Sequence, residues 1–223
     1  MNWEIHRHQT VASTMDLAAS MPVGSVVVAD EQTAGVGRHG HSWDSEKDSG
    51  LYVSMVLDPH PVLTLALGLA AQAALYKVTS LECDIRWPND LMLVKRKLGG
   101  ILVQLHDKRA VAGVGINLGQ REFPPELTSI ATSLFLETGL EFRRDDLLDA
   151  LLEAVLAATS LSQQEVIARW ESRSTWARGK LVQVDSGDRV IAGVTGGLTA
   201  AGYLLVRTPE GQIETIVAGG VRD

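Results

Sequence analysis

The stretch Arg86-Trp87-Pro88-Asn89-Asp90 continues through Leu91-Met92-Leu93-Val94 to Lys95-Arg96-Lys97-Leu98-Gly99-Gly100, and it sets four cations and one carboxylate close together in a chain that is acidic overall. Positive charge concentrated in this way suits an anionic, flat or phosphorylated ligand. Pro88 fixes its own φ and biases Trp87 toward an extended conformation, so Asn89 and Asp90 follow a rigid lead-in. Gly99 and Gly100 leave the main chain bare, which permits close approach by a ligand. The same residues would also make a hairpin with a solvated basic turn, and on their own they leave both readings open.

A second candidate lies upstream. Glu31 to Trp43 (EQTAGVGRHGHSW) contains G-x-G-x-x-G at Gly35, Gly37 and Gly40. A dinucleotide-binding fold needs a helix directly after these glycines, with its N-terminus on the pyrophosphate. Asp44 to Gly50 is short and polar instead, and Leu51 to Leu57 reads as a strand, so the glycines belong to a long loop. Asp58 lies about where a ribose-binding acid would fall, which leaves a nicotinamide enzyme as a minor alternative. Arg38 offers a planar charged fork and Trp43 a flat wall, while the three glycines offer mobility. The expectation is a lid that orders over an anion. Ser13 and Thr14 either cap a short helix or bond a polar ligand placed at its start, and Asn117 either caps a turn or pairs with a base edge or ribose.

Several elements must position these residues. Strands are expected at Trp3 to His8, Gly24 to Asp30, Leu51 to Leu57, Asp90 to Val94, Lys97 to His106 and Ala110 to Asn117. The three cations Lys95, Arg96 and Lys97 mark the turn between the fourth of these and the fifth. A short helix should begin near Met15, an apolar core helix should run from Val62 to about Ser80, and Ile130 to Leu136 should form the start of another. Asp145 to Thr159 carries an apolar stripe of Leu148, Leu151, Leu152, Val155 and Leu156, and the helix should continue over Gln163 to Arg173. After Trp176 come short alternating runs at Leu181-Val184, Val190-Thr195, Tyr203-Arg207 and Ile213-Val217, with turns near Gly187, Gly196-Gly197 and Gly211. That pattern fits a small β-barrel, too small to stand free, packed on the larger unit.

The totals exclude some classes. A net charge of −7 argues against general nucleic-acid binding. Cys83 is the single cysteine, so an internal disulfide framework is ruled out and a core thiol in a reducing compartment is expected. No segment has signal-peptide character, and Val62 to Tyr76 is shorter than the roughly 20 residues of a membrane span. The expectation is a cytoplasmic protein with no membrane association. No Walker phosphate loop or G-x-S-x-G elbow occurs, and the histidine pairs His6/His8 and His39/His41 have no third ligand at metal spacing, so no protein metal site is expected.

Taken in order, Ser13-Thr14, the Gly35 to Trp43 lid, Arg86-Trp87-Pro88-Asn89-Asp90 with Lys97-Leu98-Gly99-Gly100, then Gly113-Val114-Gly115-Ile116-Asn117 and a terminal β unit resemble the biotin protein ligases over essentially the whole chain. The resemblance implies an α+β fold. Residues 1–178 would form a mixed-sheet catalytic domain of the class II synthetase type with helices packed on it, and residues 179–223 an SH3-like β-barrel. It implies a two-step reaction in which biotin and ATP, with Mg²⁺, give biotinyl-5′-AMP and pyrophosphate, and biotin then passes to one lysine of a carrier domain of acetyl-CoA carboxylase or a similar carboxylase. Because the first family motif begins at Ser13, the form without a DNA-binding domain is expected, with no repressor function. A homodimer is left open.

Carried over by position, the resemblance assigns catalysis to Lys97, Arg38 and Asp90. Biotin would lie against Ser13, Thr14, Met15, Gln32, Gly35, Val36, Gly37, Arg38, Lys97, Gly99 and Gly100. ATP would meet Arg38, Trp43, Asn89, Lys97 and Asn117. Met15, Val36 and His41 depart from the residues usual in the family, so biotin affinity and lid charge are less well defined by it. The alternatives are a lipoate ligase or octanoyl transferase, which share the catalytic architecture, and a non-catalytic binding module.

Overall fold

A computed structural model describes residues 2–186 and 189–222. The chain opens with β1 (Glu4–Val11), the short helix α1 (Thr14–Ala18) and β2 (Ser25–Gln32). β3 (Gly50–Leu57), the long helix α2 (Leu63–Thr79), β4 (Asp84–Arg86), β5 (Asp90–Leu93), β6 (Arg96–His106) and β7 (Arg109–Asn117) follow. These seven strands form one mixed sheet in the order β1-β2-β3-β7-β6-β5-β4, in which only β1 and β2 run parallel.

Helices α3 (Leu134–Thr138), α4 (Arg144–Thr159) and α5 (Gln163–Arg173) complete the larger unit. α2 is apolar nearly all round because it is enclosed, with the sheet on one side and α4 and α5 on the other. Leu67 and Leu75 of α2, Leu148 and Leu151 of α4 and Trp170 of α5 all lose their solvent exposure in this core. A smaller apolar cluster of Met15, Ala18, Val27, Val56 and Val111 lies on the opposite face under α1.

Two helices differ from the pattern expected. Ile130 is not helical; α3 starts only at Leu134, because residues 130–132 pair alongside Lys97 and the Ser133 hydroxyl caps the helix by accepting from Leu136 N at 3.1 Å. α5 is a separate helix and not a continuation of α4. Ser162 opens it with a capping box in which its hydroxyl accepts from Glu165 N at 3.3 Å, and the Glu165 carboxylate accepts from Ser162 N at 2.9 Å.

The C-terminal strands β8 (Arg178–Asp185), β9 (Val190–Leu198), β10 (Leu204–Arg207), β11 (Ile213–Ile216) and β12 (Gly220–Arg222) form an antiparallel sheet in the order β11-β10-β9-β8-β12. β12 was not legible as a strand in the sequence, and among the described residues it forms no ladder with β11. The turn expected near Gly187 lies outside the described residues. Val182, Val184, Leu204 and Val206 belong to the same continuous core as α2, and Trp87 Nε1 donates to Gly202 O at 3.0 Å. The small sheet therefore packs on the large one. Among the described residues no helix is long and apolar enough to cross a membrane.

Leu67→Ala, at the fully buried centre of α2, should cost about 2–5 kcal/mol in urea unfolding. A loss below about 1 kcal/mol would contradict a core closed on both sides of this helix.

Candidate active site

The opposite face of the sheet, under the lid, carries a cavity of about 890 Å³. Its floor is set by glycines of β6 and β7: Gly100 opposes Gly115, and Gly113 lies two residues along, opposite Leu102. A Cβ on Gly115 would come within 2.6 Å of the Trp43 indole, and one on Gly113 within 2.8 Å of Met15 Sδ. Trp43 can lie flat on this floor only because these positions have no side chain.

β6 breaks the simple alternation of a strand. Its register against β5 shifts between Leu91 and Met92, which oppose Gly99 and Lys97. Leu98 and Ile101 enter the core while Lys97 and Gly100 line the cavity. The bulge thus re-aims Lys97 onto the ligand face. The cations expected together at the turn separate: Val94 and Lys95 take positive φ at the turn itself, Arg96 Nη2 bonds Glu137 Oε1 at 2.7 Å, and Lys97 Nζ bonds Asp90 Oδ1 at 2.7 Å.

Asp90 is the hub of this arrangement. Its second oxygen accepts from Arg86 Nη2 at 2.7 Å and Nε at 3.2 Å, and Arg86 stacks on Trp176 at 5.2 Å. Burial opposes ionisation of Asp90, but the charges and hydrogen bonds of Lys97 and Arg86 outweigh it and hold the carboxyl below the usual carboxylate range. Lys97 is about one-third exposed, so it is half-buried and keeps one side toward the cavity. Its ammonium also sits 5.5 Å from the Trp43 ring.

The lid is less free than its glycines suggested. Gly35 O accepts from Trp43 N at 2.8 Å and His41 O from Gly37 N at 2.7 Å, with a bridge between Val36 and Ser42 and a 3-10 turn at Arg38–Gly40. Gly35 and Gly37 are required for this close approach: a Cβ on Gly37 would sit 3.1 Å from His41 O. Arg38 Nη1 donates to Asn89 Oδ1 and to Gly219 O, both at 3.1 Å. Burial draws its guanidinium below the ordinary value and Asp90 opposes that shift; it stays a cation.

At the far end, Gln32 Oε1 accepts from Thr14 N at 2.9 Å and Thr14 Oγ1 at 3.0 Å, its amide donates to Ser45 Oγ at 2.8 Å, and Thr14 Oγ1 shares a bond of 2.7 Å with Ser54 Oγ. Ser13 holds the cap position of α1 but makes no side-chain cap bond, so the expected capping role is not seen. Asn117 Nδ2 donates to Thr132 O at 2.9 Å, and its oxygen accepts from Gln120 Nε2 at 3.3 Å.

The structure brings Thr14, Met15, Gln32, Val36, Gly37, Arg38, Trp43, Asn89, Asp90, Lys97, Gly100 and Asn117 to one cavity. Three candidates do not line it. Ser13 is buried, Gly35 packs against Trp43 O and Ser45, and Gly99 turns toward Leu91 and Ile116 in the core. Arg86, one of the four clustered cations but given no role by the resemblance, also lines the cavity, and two walls went unforeseen in the sequence: residues of the segment from Phe123 to Ala131, and Ala218 to Arg222 at the end of the small sheet. Cys83 takes no part; burial pushes its thiol up to about 12. Among the described residues no group of three His, Cys, Asp or Glu side chains could hold a metal.

Residues 5–120 match the Biotin/lipoate A/B protein ligase family, and residues 179–221 match the Biotin protein ligase C terminal domain. The chain is 32% identical over 207 residues to the bifunctional ligase/repressor BirA of Escherichia coli, covering 86% of this chain and 64% of that protein. It is 30% identical over 225 residues to the biotin–[acetyl-CoA-carboxylase] ligase of Paracoccus denitrificans, covering 91% and 92%. Among solved structures, biotin protein ligase from Aquifex aeolicus in complex with biotin and ATP superposes with a TM-score of 0.88 at 32% identity, covering 98% of this chain and 97% of that one.

The lowered Asp90 pKa has a definite sign. A carboxyl that ionises more readily folded than unfolded contributes stability in full above its unfolded value of about 3.9 and loses it as pH falls through the folded value. Asp90→Asn should therefore be destabilised at neutral pH, toward the low end of the about 3–5 kcal/mol seen when a buried pair loses one partner, since Lys97 retains contact with water. The gap to wild type should close below pH of about 4. Urea unfolding at several pH values reads this directly, and a gap that persists unchanged in acid would contradict it.

Proposed function

Since this chain belongs to the biotin/lipoate A/B protein ligase family, we propose that it is an ATP-dependent biotin protein ligase, with residues 1–178 catalytic and residues 179–223 an appended β unit. One observation carries the proposal: the Lys97 ammonium, aimed by a strand bulge and a buried carboxylate, enters a cavity where the Trp43 indole lies on the bare main chain of Gly100 and Gly115. The C-terminal match over residues 179–221 favours biotin over lipoate as the acid. The names of relatives such as the Paracoccus protein support a carboxylase carrier domain as acceptor. Use of ATP and of such a carrier supports a cytoplasmic location.

In the first step the biotin carboxylate attacks the α-phosphorus of ATP, a C–O–P linkage forms and pyrophosphate leaves. Two anions must meet, so cations have to be in place beforehand. Lys97 and Arg38 supply them, each held in the cavity by oxygen acceptors it can trade for substrate oxygens. Mg²⁺ enters with ATP as part of the substrate; a hard ion that keeps much of its water needs few protein oxygens. Thr14 and Gln32 offer polar contacts for the ureido ring at the far end, and Met15 an apolar one. Asn89 and Asn117 border the nucleotide, and Trp43 shields the adenylate from water.

In the second step the carrier's lysine amine attacks the acyl carbon and AMP departs. A carboxyl held as low as that of Asp90, with both oxygens in ion pairs, is a weak base near neutral pH, so its role is to hold Lys97 and not to take the amine's proton.

Incubation with biotin, ATP, Mg²⁺ and a carrier domain, followed by a streptavidin blot, tests the function; no labelled carrier, or equal use of lipoate, would overturn it. Lys97→Ala should lower biotin-dependent pyrophosphate exchange by about 10²- to 10³-fold with the fold intact. Exchange within about threefold of wild type would remove Lys97 from the mechanism.

A further inference from the structure

β7 ends at Asn117, and its ladder with β6 begins only at Gly99 opposite Ile116. Lys97 therefore lies beyond the end of its neighbouring strand. Residues 130–132 take that place: Lys97 N donates to Ile130 O at 2.7 Å, and Thr132 N donates to Lys97 O at 2.9 Å. Ile130 and Ala131 of the same segment line the cavity. Asn117 Nδ2, donating to Thr132 O at 2.9 Å, ties the segment's main chain, and its Thr132 side chain is held by Glu137 in the first turn of α3. Its single oxygen Oε1 accepts from Thr132 Oγ1 at 2.5 Å and from Arg96 Nη2 at 2.7 Å, on a side chain only 13% exposed. Glu137 thus grips both residues that flank the Lys97 backbone pairing, one on β6 and one on the adjoining segment.

We propose that Glu137 is a positioning residue, which through Thr132 and Arg96 locks residues 130–132 against Lys97 and so fixes the lysine together with the cavity wall beside it. Bonds to an ionised acceptor are the short, strong class, and their loss would leave the fully buried Thr132 hydroxyl without its acceptor. Its kinetic consequence rests on the adenylation reading given above; the backbone consequence does not. Displacements on the order of 1 Å at reacting groups cost about 10²-fold in rate.

The test pairs two readouts on Glu137→Ala, Glu137→Gln, Thr132→Val and Thr132→Ser. Amide hydrogen exchange by NMR reports the clamp itself: in Glu137→Ala and Thr132→Val the Lys97 and Thr132 amides should exchange at least about tenfold faster, while amides in the centre of β7 stay unchanged. Pyrophosphate exchange reports its use: kcat/KM for ATP should fall by about 10- to 100-fold in these two variants, with affinity for biotin alone within about twofold of wild type. Thr132→Ser and Glu137→Gln keep the donor and an acceptor, and should recover most of both. Unchanged amides at Lys97 and Thr132, or lower thermal stability with kcat/KM as in wild type, would overturn the proposal. If Glu137→Ala does not fold, the contrast between Thr132→Val and Thr132→Ser decides in the same way. A wild-type chain without exchange activity would remove the adenylation reading, and the amides would still decide on the clamp.

Discussion

On the proposed reaction Lys97 meets two anionic reactants, and for that it has to be charged, immobile and not yet spent on an internal partner that it cannot leave. Asp90 meets these demands because it is shared. Its two oxygens divide between Lys97 and Arg86, so the carboxylate is saturated by cations even when Lys97 turns part of its attention to a substrate. A pair of unit charges about 4 Å apart is worth roughly 4 kcal/mol at an effective dielectric of 20. With Arg86 still in place, release of the lysine does not strand a buried carboxylate. Arg86 in turn is stacked on Trp176, where the larger unit passes into β8, and Lys180 lies over the same ring at 4.5 Å. The position of Lys97 is therefore tied to the packing of the C-terminal sheet.

The second constraint is space. The lid tryptophan, the Lys97 stem and the two facing strands converge where a Cβ on Gly100 would meet Lys97 Cε and Trp43 Cζ3 at 3.3 Å. The indole itself lies against main chain here, and the tight fit leaves it little choice of orientation. The same economy explains Gly113, whose missing side chain admits Met15. Glycines that look like mobility in a sequence are, at these positions, a condition of close packing.

Legibility in the sequence followed the range of the interactions. Local patterns were sufficient for six of the seven strands of the large sheet, all but the three-residue β4, for α2 and α4, and for placing Lys97 and Asp90 in one hairpin. What they could not reveal was the bulge that sets Lys97 on the cavity face, since alternation alone would put Lys97 on the face of Gly99 and not of Gly100. Nor does any local signal show that residues 130–132 form a strand edge instead of a helix start; that choice is made by the unsatisfied backbone of Lys97 on another strand. Twelve of the fifteen candidate site residues line one cavity, while Ser13, Gly35 and Gly99 serve its support. The two missed walls, within residues 123–131 and 218–222, lie far away in the chain and are brought in by packing that has no periodic trace.

Arg38 joins these threads. One of its nitrogens reaches Asn89, beside the Trp87-Pro88 lead-in, and the carbonyl of Gly219 in the small sheet. Both acceptors are neutral, whereas Lys97 faces a carboxylate. A guanidinium resting on amide and backbone oxygens in a partly buried site has a strong preference for any anion that replaces them, because charged acceptors bind it roughly twice as strongly as neutral ones. On the proposed reaction, a carboxylate and a phosphate would give Arg38 strong acceptors in place of weak ones, while the lysine beneath is already balanced by Asp90. Lys97 and Arg38 are in this way prepared differently, the lysine by pairing with a carboxylate and the arginine by resting on neutral acceptors.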